Sequence, residues 1–581
     1  MSNPDSPSAR WTRLMHRVHA RGSTLARPAT AFTSMPEPRT IGSYAKGKQL
    51  VAGNFLFAGH LVTAPDRGMW EIAPPDDVFD ADLHGFAWLD DLAAVGDPAA
   101  RGKAQDWLWS WIDRFGTGRG AGWTPDLTGR RLIRWINHAP FLLRGRDGDQ
   151  SRAYYRSLGQ QTIFLSRRWK KTAPGLPRFE ALTGLIYAGL ALEGMRRHVA
   201  PALAALDREC RAQVDEQGGI PTRNPEELLE VFTLLTWAAT ALAEAEMPLS
   251  KDHTAAVERI APTLRTLRHA DGGLARFHGG GRGLEGRLDH ALAESQVKTS
   301  QPDGLSMGYA RLSAGRTSVI VDASPPPTGV ASVNAHASTL AFEMTSGRRP
   351  VIVNCGSGAS FGEDWRRAGR ATPSHSTLSL DKYSSARLGE VGSGNWREEQ
   401  LIDTPKEVPI EISPAPDGLR FQGGHDGYVR THGLTHARTL ELTFDGRGMV
   451  GEELIIALED THKKRFDRVL DAKSLQGVPF DLRFHLHPEV DAAVDMGGAA
   501  VSLALKSGEI WIFRHEGVFD LALEPSVYLE KSRLKPRATK QVVLSGVALE
   551  YATRIRWSLA KAQDSAIAIR DLNRDELDLT T

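Results

Sequence analysis

The sequence has few of the features that mark specialised protein classes. It contains only two cysteines in 581 residues, Cys210 and Cys355, too few and too far apart for a disulfide framework or a thiolate zinc site. No stretch approaches the roughly 18 uninterrupted apolar residues that a membrane helix needs, so we expect no integral membrane segment. The net charge is +1, which gives no indication of a nucleic-acid partner. Any anionic ligand must therefore meet a local patch of positive charge.

The N-terminal region also lacks a secretion signal. From Met1 to about Lys48 it is polar and rich in Arg, Pro and Ser, without the apolar core of about 7–15 residues that a signal peptide contains. These features predict a flexible arm over residues 1–48 and a cytoplasmic location.

The period of the apolar residues changes near residue 300. Before it they recur at helical spacing, and short Gly-Gly turns at 218–219 and 272–273 are typical of stacked helix pairs, as in an α/α toroid. After it they alternate or form short runs with tight turns, as at 309–321 and 340–354, which predicts an antiparallel β-sandwich. We therefore predict an α+β multidomain protein with a helical toroid over 49–300, a sandwich over 301–560 and a charged tail over 561–581.

Polar residues cluster in the β half. The segments 334–338, 354–356 and 374–378 surround a loop that carries Arg366, Arg367 and Arg370, and a second group of histidines lies at 425–436. Each such residue is by itself more often structural than functional. Their concentration in one region nevertheless makes it the candidate for a binding or catalytic site.

These segments resemble a known family. The stretches NAHASTLAFEMTSGRRPVIVNCGSG (334–358), HSTL (375–378) and HDGYVRTHGLTHARTL (425–440) are similar to the C-terminal sandwich of the heparinase II/III-like proteins, with RRLIRWINHAP (130–140) as the best match in the helical half. The resemblance implies an α/α toroid joined to a β-sandwich. It also implies cleavage of an acidic, uronate-containing polysaccharide by β-elimination in a cleft between the two domains.

β-Elimination requires a group that neutralises the uronate carboxylate, a base for the C5 proton and an acid for the leaving oxygen. The resemblance suggests Tyr428, His336, His138 and Asn137 as catalytic candidates. The candidates for binding an acidic polysaccharide are Arg438, Arg366, Arg370, Asn334, His425, His436 and Arg223. No cofactor is required for this chemistry.

The sequence departs from the family pattern at the expected metal site. Active relatives carry a His-x-His-x-Asp stretch, whereas residues 334–338 read Asn-Ala-His-Ala-Ser. The resemblance leaves His336, His375 and Asn354 as ligands of a possible structural zinc. Two histidines and a neutral amide make a poor zinc set.

Two alternatives to a lyase follow. The first is a catalytically silent protein that binds an acidic glycan or assists envelope-polysaccharide assembly. Most relatives act in the periplasm or at the cell envelope, and this is the alternative to the predicted cytoplasmic location. The second is a toroid glycoside hydrolase, for which Asp82, Asp90, Asp91 and Glu180 are the available carboxylates.

Overall fold

The computed structural model describes residues 6–299, 304–392 and 398–562, apart from Pro28, Pro36 and Ser532. The predicted change from helix to strand is confirmed: the last helix of the first half ends at Ser295 and the first sandwich strand begins at Tyr309. The charged tail predicted for 561–581 lies, from residue 563 on, outside the described residues.

The first half is built from helices and one small hairpin. The helices are α1 (Pro7–Ser23), α2 (Tyr44–Val51), α3 (Asp77–Gly85), α4 (Trp88–Val95), α5 (Pro98–Phe115), α6 (Pro125–Asn137), α7 (Ala139–Leu143), α8 (Gly148–Arg168), α9 (Leu176–Ala191), α10 (Val199–Gln213), α11 (Pro225–Glu244), α12 (Lys251–Thr266) and α13 (Arg287–Ser295), with the hairpin β1 (Asn54–Phe57) and β2 (His60–Thr63). Local signals start many of them: Asp97 caps α5 and Asn224 caps α11, each followed by a proline at the first helical position.

Helix α9 lies at the centre of this helical domain. It packs against α6, α8, α10 and α11, and almost every one of its residues is buried. Gly129 of α6 and Gly184 of α9 face each other so closely that a Cβ on Gly184 would lie 2.4 Å from the Gly129 Cα. The small residues therefore let the two backbones touch.

The second half forms two packed antiparallel sheets. Its strands are β3 (Tyr309–Ala314), β4 (Thr317–Asp322), β5 (Phe342–Ser346), β6 (Arg349–Val353), β7 (Leu378–Leu380), β8 (Arg387–Val391), β9 (Glu398–Ile402), β10 (Ile410–Ala415), β11 (Gly418–Tyr428), β12 (Leu434–Thr443), β13 (Gly448–Ile456), β14 (Val478–Leu486), β15 (Asp491–Asp495), β16 (Ala500–Ala504), β17 (Ile510–Glu516), β18 (Asp520–Tyr528), β19 (Arg537–Ala548) and β20 (Ala552–Lys561), with three helices, α14 (Glu363–Arg370), α15 (Val429–His432) and α16 (Asp460–Ala472).

The strand order defines the sandwich. One sheet runs β10-β11-β12-β13-β20-β17-β16-β15 and the other runs β18-β19-β14-β6-β5-β4-β3, with β7 added to β14. The two predicted hairpins at 309–321 and 340–354 are β3–β4 and β5–β6. A single apolar core that includes Phe342, Phe484 and Trp557 fills the space between the sheets.

The N-terminal segment corrects the prediction of a flexible arm. Helix α1 buries His16 and Ala20 and packs against α8. The chain between α1 and α2 then crosses the toroid as an extended strap, residues 29–43. Its Thr33 amide donates to Ala191, and Arg39 forms ion pairs with Glu244 and Glu294. This part of the chain is held in place by burial and by specific partners. Neither can be recognised from the composition of a polar segment.

Among the described residues, no helix combines the length and the apolar character that crossing a membrane requires.

Candidate functional site

His336 lies at the contact between the toroid and the sandwich, on the loop before β5. Its Nδ1 is 2.9 Å from Nε2 of His375, whose own Nδ1 is 2.9 Å from the Ala371 carbonyl oxygen. Because a carbonyl only accepts, His375 carries its proton on Nδ1 and must accept at Nε2. His336 is therefore the donor at Nδ1, and its lone pair is at Nε2.

The Nε2 atom of His336 has no hydrogen-bond partner within the described part of the chain. Burial, together with the neighbouring His375 and His278, lowers the pKa of His336 well below its usual value. His336 is consequently a neutral imidazole with an uncommitted basic nitrogen, held in one orientation by His375.

A second network joins the domains beside His336. The backbone amide of His336 donates to Nδ1 of His278, and Nε2 of His278 lies 3.3 Å from Asp322. Asp322 also accepts from Arg223 at 2.6 Å and from the Ser338 hydroxyl at 2.6 Å. Burial alone would raise the pKa of Asp322, but the charges of Arg223 and His278 outweigh it and hold the pKa at about 2. The network fixes the loop that carries His336.

Most ligand atoms of the predicted zinc site are bonded to protein groups, and only Nε2 of His336 is uncommitted. His336 and His375 are bonded to each other, and the Asn354 amide accepts from the Ser376 backbone and donates to Glu343. Among the residues that the structure describes, there is no group of three or more His, Cys, Asp or Glu side chains placed to hold a metal ion. The residues present do not fit a zinc site, and no chemical step below uses one.

On the toroid side, Asn137 ends α6. It is fully buried, and neither its amide nitrogen nor its amide oxygen has a hydrogen-bond partner among the described residues. Leaving such atoms unpaired costs about 1–3 kcal/mol per group. The neighbouring His138 is committed, with Nε2 at 2.9 Å from Asp90 and 3.0 Å from the Thr40 hydroxyl of the strap.

Lys531 connects the two sides, and the sequence analysis missed it. It extends from a sandwich loop to form an ion pair with Glu226 at the start of α11. Its charge lowers the pKa of Glu226 and also acts on Glu227 and on His336. A lone lysine in a polar loop gives no signal in the sequence. Its importance comes from the domain contact alone.

Glu227 is the second residue that the sequence analysis missed as a site candidate. Burial raises the pKa of Glu227 above its usual value, against the lowering effect of Lys531. In the sequence it is recognisable only as a capping residue of α11.

Four predicted site residues instead lie inside the sandwich, which corrects their assignment. Tyr428 is buried, and its hydroxyl donates to the Leu378 carbonyl. Arg438 donates to Glu453 at 2.8 Å, and His436 is bonded to the same carboxylate at 2.7 Å. His425 packs against His436, with ring nitrogens 3.3 Å apart. Arg438, His436 and His425 interact across β11, β12 and β13, and all four side chains are buried within the sandwich, out of reach of a polymer.

The remaining predicted binding residues hold loops in place. Arg370 is buried and donates to the carbonyls of Ala335 and Ser332. Arg366 donates to Val333, and Arg223 binds Asp322 and four carbonyl oxygens. Only Asn334 stays exposed. Arginine is suited to bind several carbonyls at once, and these arginines position the His336 loop.

The carboxylates considered for a hydrolase are partly committed as well. Glu180 forms a two-pronged ion pair with Arg130, and Asp90 is bound by Arg134 and His138. Burial raises the pKa of Asp91 to about 6, although its side chain accepts from the Ser43 amide. This arrangement gives no support to a facing acid and base pair in the toroid.

The fold and the position of His336 define a class of protein: a helical toroid joined to an antiparallel sandwich, with the candidate site where they meet. Two solved structures share this architecture. A crystal structure of heparinase III matches with a TM-score of 0.65 and 13% identity, covering 97% of this chain and 93% of that one. A mutant of the heparan sulfate lyase HepC from Pedobacter heparinus matches with a TM-score of 0.57 and 14% identity, covering 96% and 92%.

Sequence comparison gives the family. The profile "Heparinase II/III-like, C-terminal" matches residues 296–558. FtsZ-localized protein C of Caulobacter vibrioides is 30% identical over 565 residues, which cover 94% of this chain and 92% of the relative. The chain belongs to the heparinase II/III-like family, and the predicted family and fold class are confirmed.

Proposed function

We propose that this protein is a polysaccharide lyase that cleaves an acidic, uronate-containing polysaccharide by β-elimination at the contact between the toroid and the sandwich. The observation that carries the proposal is the free Nε2 of His336, which the bond to His375 fixes as a lone pair. A buried neutral imidazole with no other partner is suited to remove a proton.

In the proposed reaction, His336 Nε2 takes the proton from C5 of the uronate. The C–H electron pair forms the C4–C5 double bond, and the C4–O4 bond breaks with its electrons going to the leaving oxygen. Glu227, in the first turn of α11 beside the Glu226–Lys531 ion pair, supplies the proton to that oxygen. Lys531 is the cation that neutralises the substrate carboxylate. No cofactor takes part.

The test is a panel of uronate polymers incubated with purified protein, with the unsaturated product followed by its absorbance. Replacing His336 by Asn keeps a donor toward His375 and removes the basic nitrogen. We expect His336→Asn to lower the rate by about 100-fold or more. The control is His462→Ala, which removes a histidine paired with Glu459 on α16. Turnover that is equal in both variants would reject His336 as the base.

A second candidate function is glycan binding without cleavage. It is favoured by the commitment of Arg438, Arg370, Arg366 and Arg223 to the protein itself, which leaves Lys531 as the main cation at the contact. The name of the Caulobacter relative, FtsZ-localized protein C, also favours a role at the place of cell division. Saturable glycan binding with no product from any polymer would select this candidate.

The cytoplasmic location, with the periplasm or cell envelope as its alternative, stays a prediction that fractionation of tagged protein would decide.

A further inference from the structure

A cavity of about 570 Å³ opens on the sandwich, and His336 is not among its lining residues. One wall is the helix α14, with Asp364 and Arg367, and the other is formed by Asp403 and Arg430. Lys382 and Tyr383 line the cavity from the turn after β7. None of the residues proposed above for catalysis lines this space.

The cavity carries an excess of positive charge. Asp403 is shared by Arg387 and Arg430, and Glu399 is shared by Arg367 and Arg370, so each carboxylate balances only one of two guanidinium groups. The exposed ammonium of Lys382 has no partner within the described part of the chain. The lining itself has four cations, Arg367, Lys382, Arg387 and Arg430, and two carboxylates, Asp364 and Asp403. Four cations against two carboxylates leave two positive charges for an anionic ligand.

The lining also offers an aromatic surface. The Tyr383 side chain is 51% exposed, and its ring is supported by His432, whose centroid lies 5.1 Å away at nearly a right angle. A pyranose ring presents C–H bonds that fit the negative face of an aromatic ring. Guanidinium and ammonium groups suit the carboxylate or sulfate of an acidic sugar. Together these features favour an acidic sugar over an acidic peptide, which has no such flat face.

Helix α14 links the cavity to the candidate active site. While Arg367 faces the cavity, Arg366 and Arg370 of the same helix donate to the carbonyls of Val333 and Ala335, next to His336. Arg367 and Arg370 are three residues apart and share Glu399, so the cavity and the His336 loop adjoin neighbouring faces of one helix.

We propose that this cavity is a distal subsite for an acidic glycan, in which Tyr383 stacks on a sugar ring and Lys382 and Arg430 bind its anionic groups. A chain that reaches from His336 across α14 occupies both sites. The proposal rests on the proposed function for its class of ligand, and the subsite holds long chains in place.

The experiment measures binding by calorimetry in the His336→Asn protein, so that turnover does not interfere. The probes are a hyaluronan decasaccharide, a heparin decasaccharide and a polyglutamate peptide. We expect the double change Lys382→Ala, Tyr383→Ala to weaken binding of the glycans about tenfold. The matched control is Lys464→Ala, Tyr551→Ala, which removes an exposed lysine and an exposed tyrosine from another surface.

Each result of the calorimetry either supports or overturns the distal subsite. Glycan binding that is lost in the cavity variant and kept in the control supports it, whichever of the two glycans binds. Unchanged affinity in the cavity variant, no binding of either glycan to the parent, or tighter binding of polyglutamate than of both glycans overturns it. These results do not depend on product formation, so a failure of the lyase proposal is seen separately in the polymer assay.

Discussion

Arg438 illustrates how a residue that fits a binding role by type serves a structural one by position. It is fully buried and donates to Glu453 and to the carbonyls of Leu340 and Ser376. Burial alone would raise the pKa of Glu453, but the charges of Arg438 and His436 lower it instead. Removing one member of such a pair leaves an uncompensated charge in the core, so the pair fixes the register of β12 against β13.

Asp322 is a second buried charge whose removal should destabilise the fold. Asp322→Asn leaves Arg223 buried without its carboxylate, and we expect the free energy of unfolding at neutral pH to fall by about 3 kcal/mol. The control Asp289→Asn removes an exposed partner of Arg268 and is expected to change it by less than about 1 kcal/mol. Urea unfolding at neutral pH measures both.

The effect of Asp322 also depends on pH. The pKa of Asp322 is about 2 in the folded protein, below its usual value of 3.8, so ionised Asp322 favours the folded state. Its contribution is complete above about pH 4 and disappears as the pH falls through about 2. The stability difference between the parent and Asp322→Asn should therefore shrink in acid; a difference that stays constant from neutral pH into acid would contradict this assignment.

At the scale of elements, the contact between α6 and α9 sets the geometry of the toroid. Gly184→Ala would place a methyl group 2.4 Å from the backbone of Gly129, which forces the helices apart. We expect a loss of at least about 2 kcal/mol, since overpacking a tight core costs roughly 1–3 kcal/mol. Thermal melting followed by circular dichroism measures it.

The control for this change is Gly102→Ala. Gly102 lies inside α5 and has open space where a Cβ would be. Alanine is the better helix former, so this substitution should stabilise the protein by about 0.5–1 kcal/mol. We expect Gly184→Ala to lower the melting temperature and Gly102→Ala to raise it. Equal melting temperatures in the two variants would show that α6 and α9 move apart without cost.

The elements themselves could be predicted from the sequence because local patterns determine them. Asp97 and Pro98 mark the start of α5, and the turns at 314–316 and 346–348 mark the first two sandwich hairpins. The site could be predicted only in part. Arg438 and Glu453 are 15 residues apart and become partners through strand register, and Lys531 meets Glu226 across 305 residues. Pairings of this kind depend on tertiary structure, which one sequence does not reveal.

At the scale of the whole molecule, the two domains are joined by buried polar contacts. Arg276 donates to the carbonyls of Cys355 and Leu529 and lies 3.9 Å from the Tyr528 ring centroid. His269 of the toroid side is bonded to Glu343 of β5. Hydrogen bonds from a charged donor contribute about 1.5–3 kcal/mol each, so we expect the domains to unfold together.

Arg276→Ala should uncouple them. We expect the single heat-capacity peak of the parent to broaden or split in the variant, because the toroid and the sandwich then unfold at different temperatures. Arg282→Ala, which removes an exposed partner of Asp271 in the same loop, should leave a single peak. A single peak of unchanged width in Arg276→Ala would show that other contacts couple the domains.

The strap over residues 29–43 has a consequence for biosynthesis. Arg39 is translated before its partner Glu294, which is made 255 residues later. At about 5–20 residues per second, the segment waits on the order of tens of seconds for this partner. The strap is thus among the last parts of the toroid to settle, because it closes over α9 and α13 only after α13 has emerged.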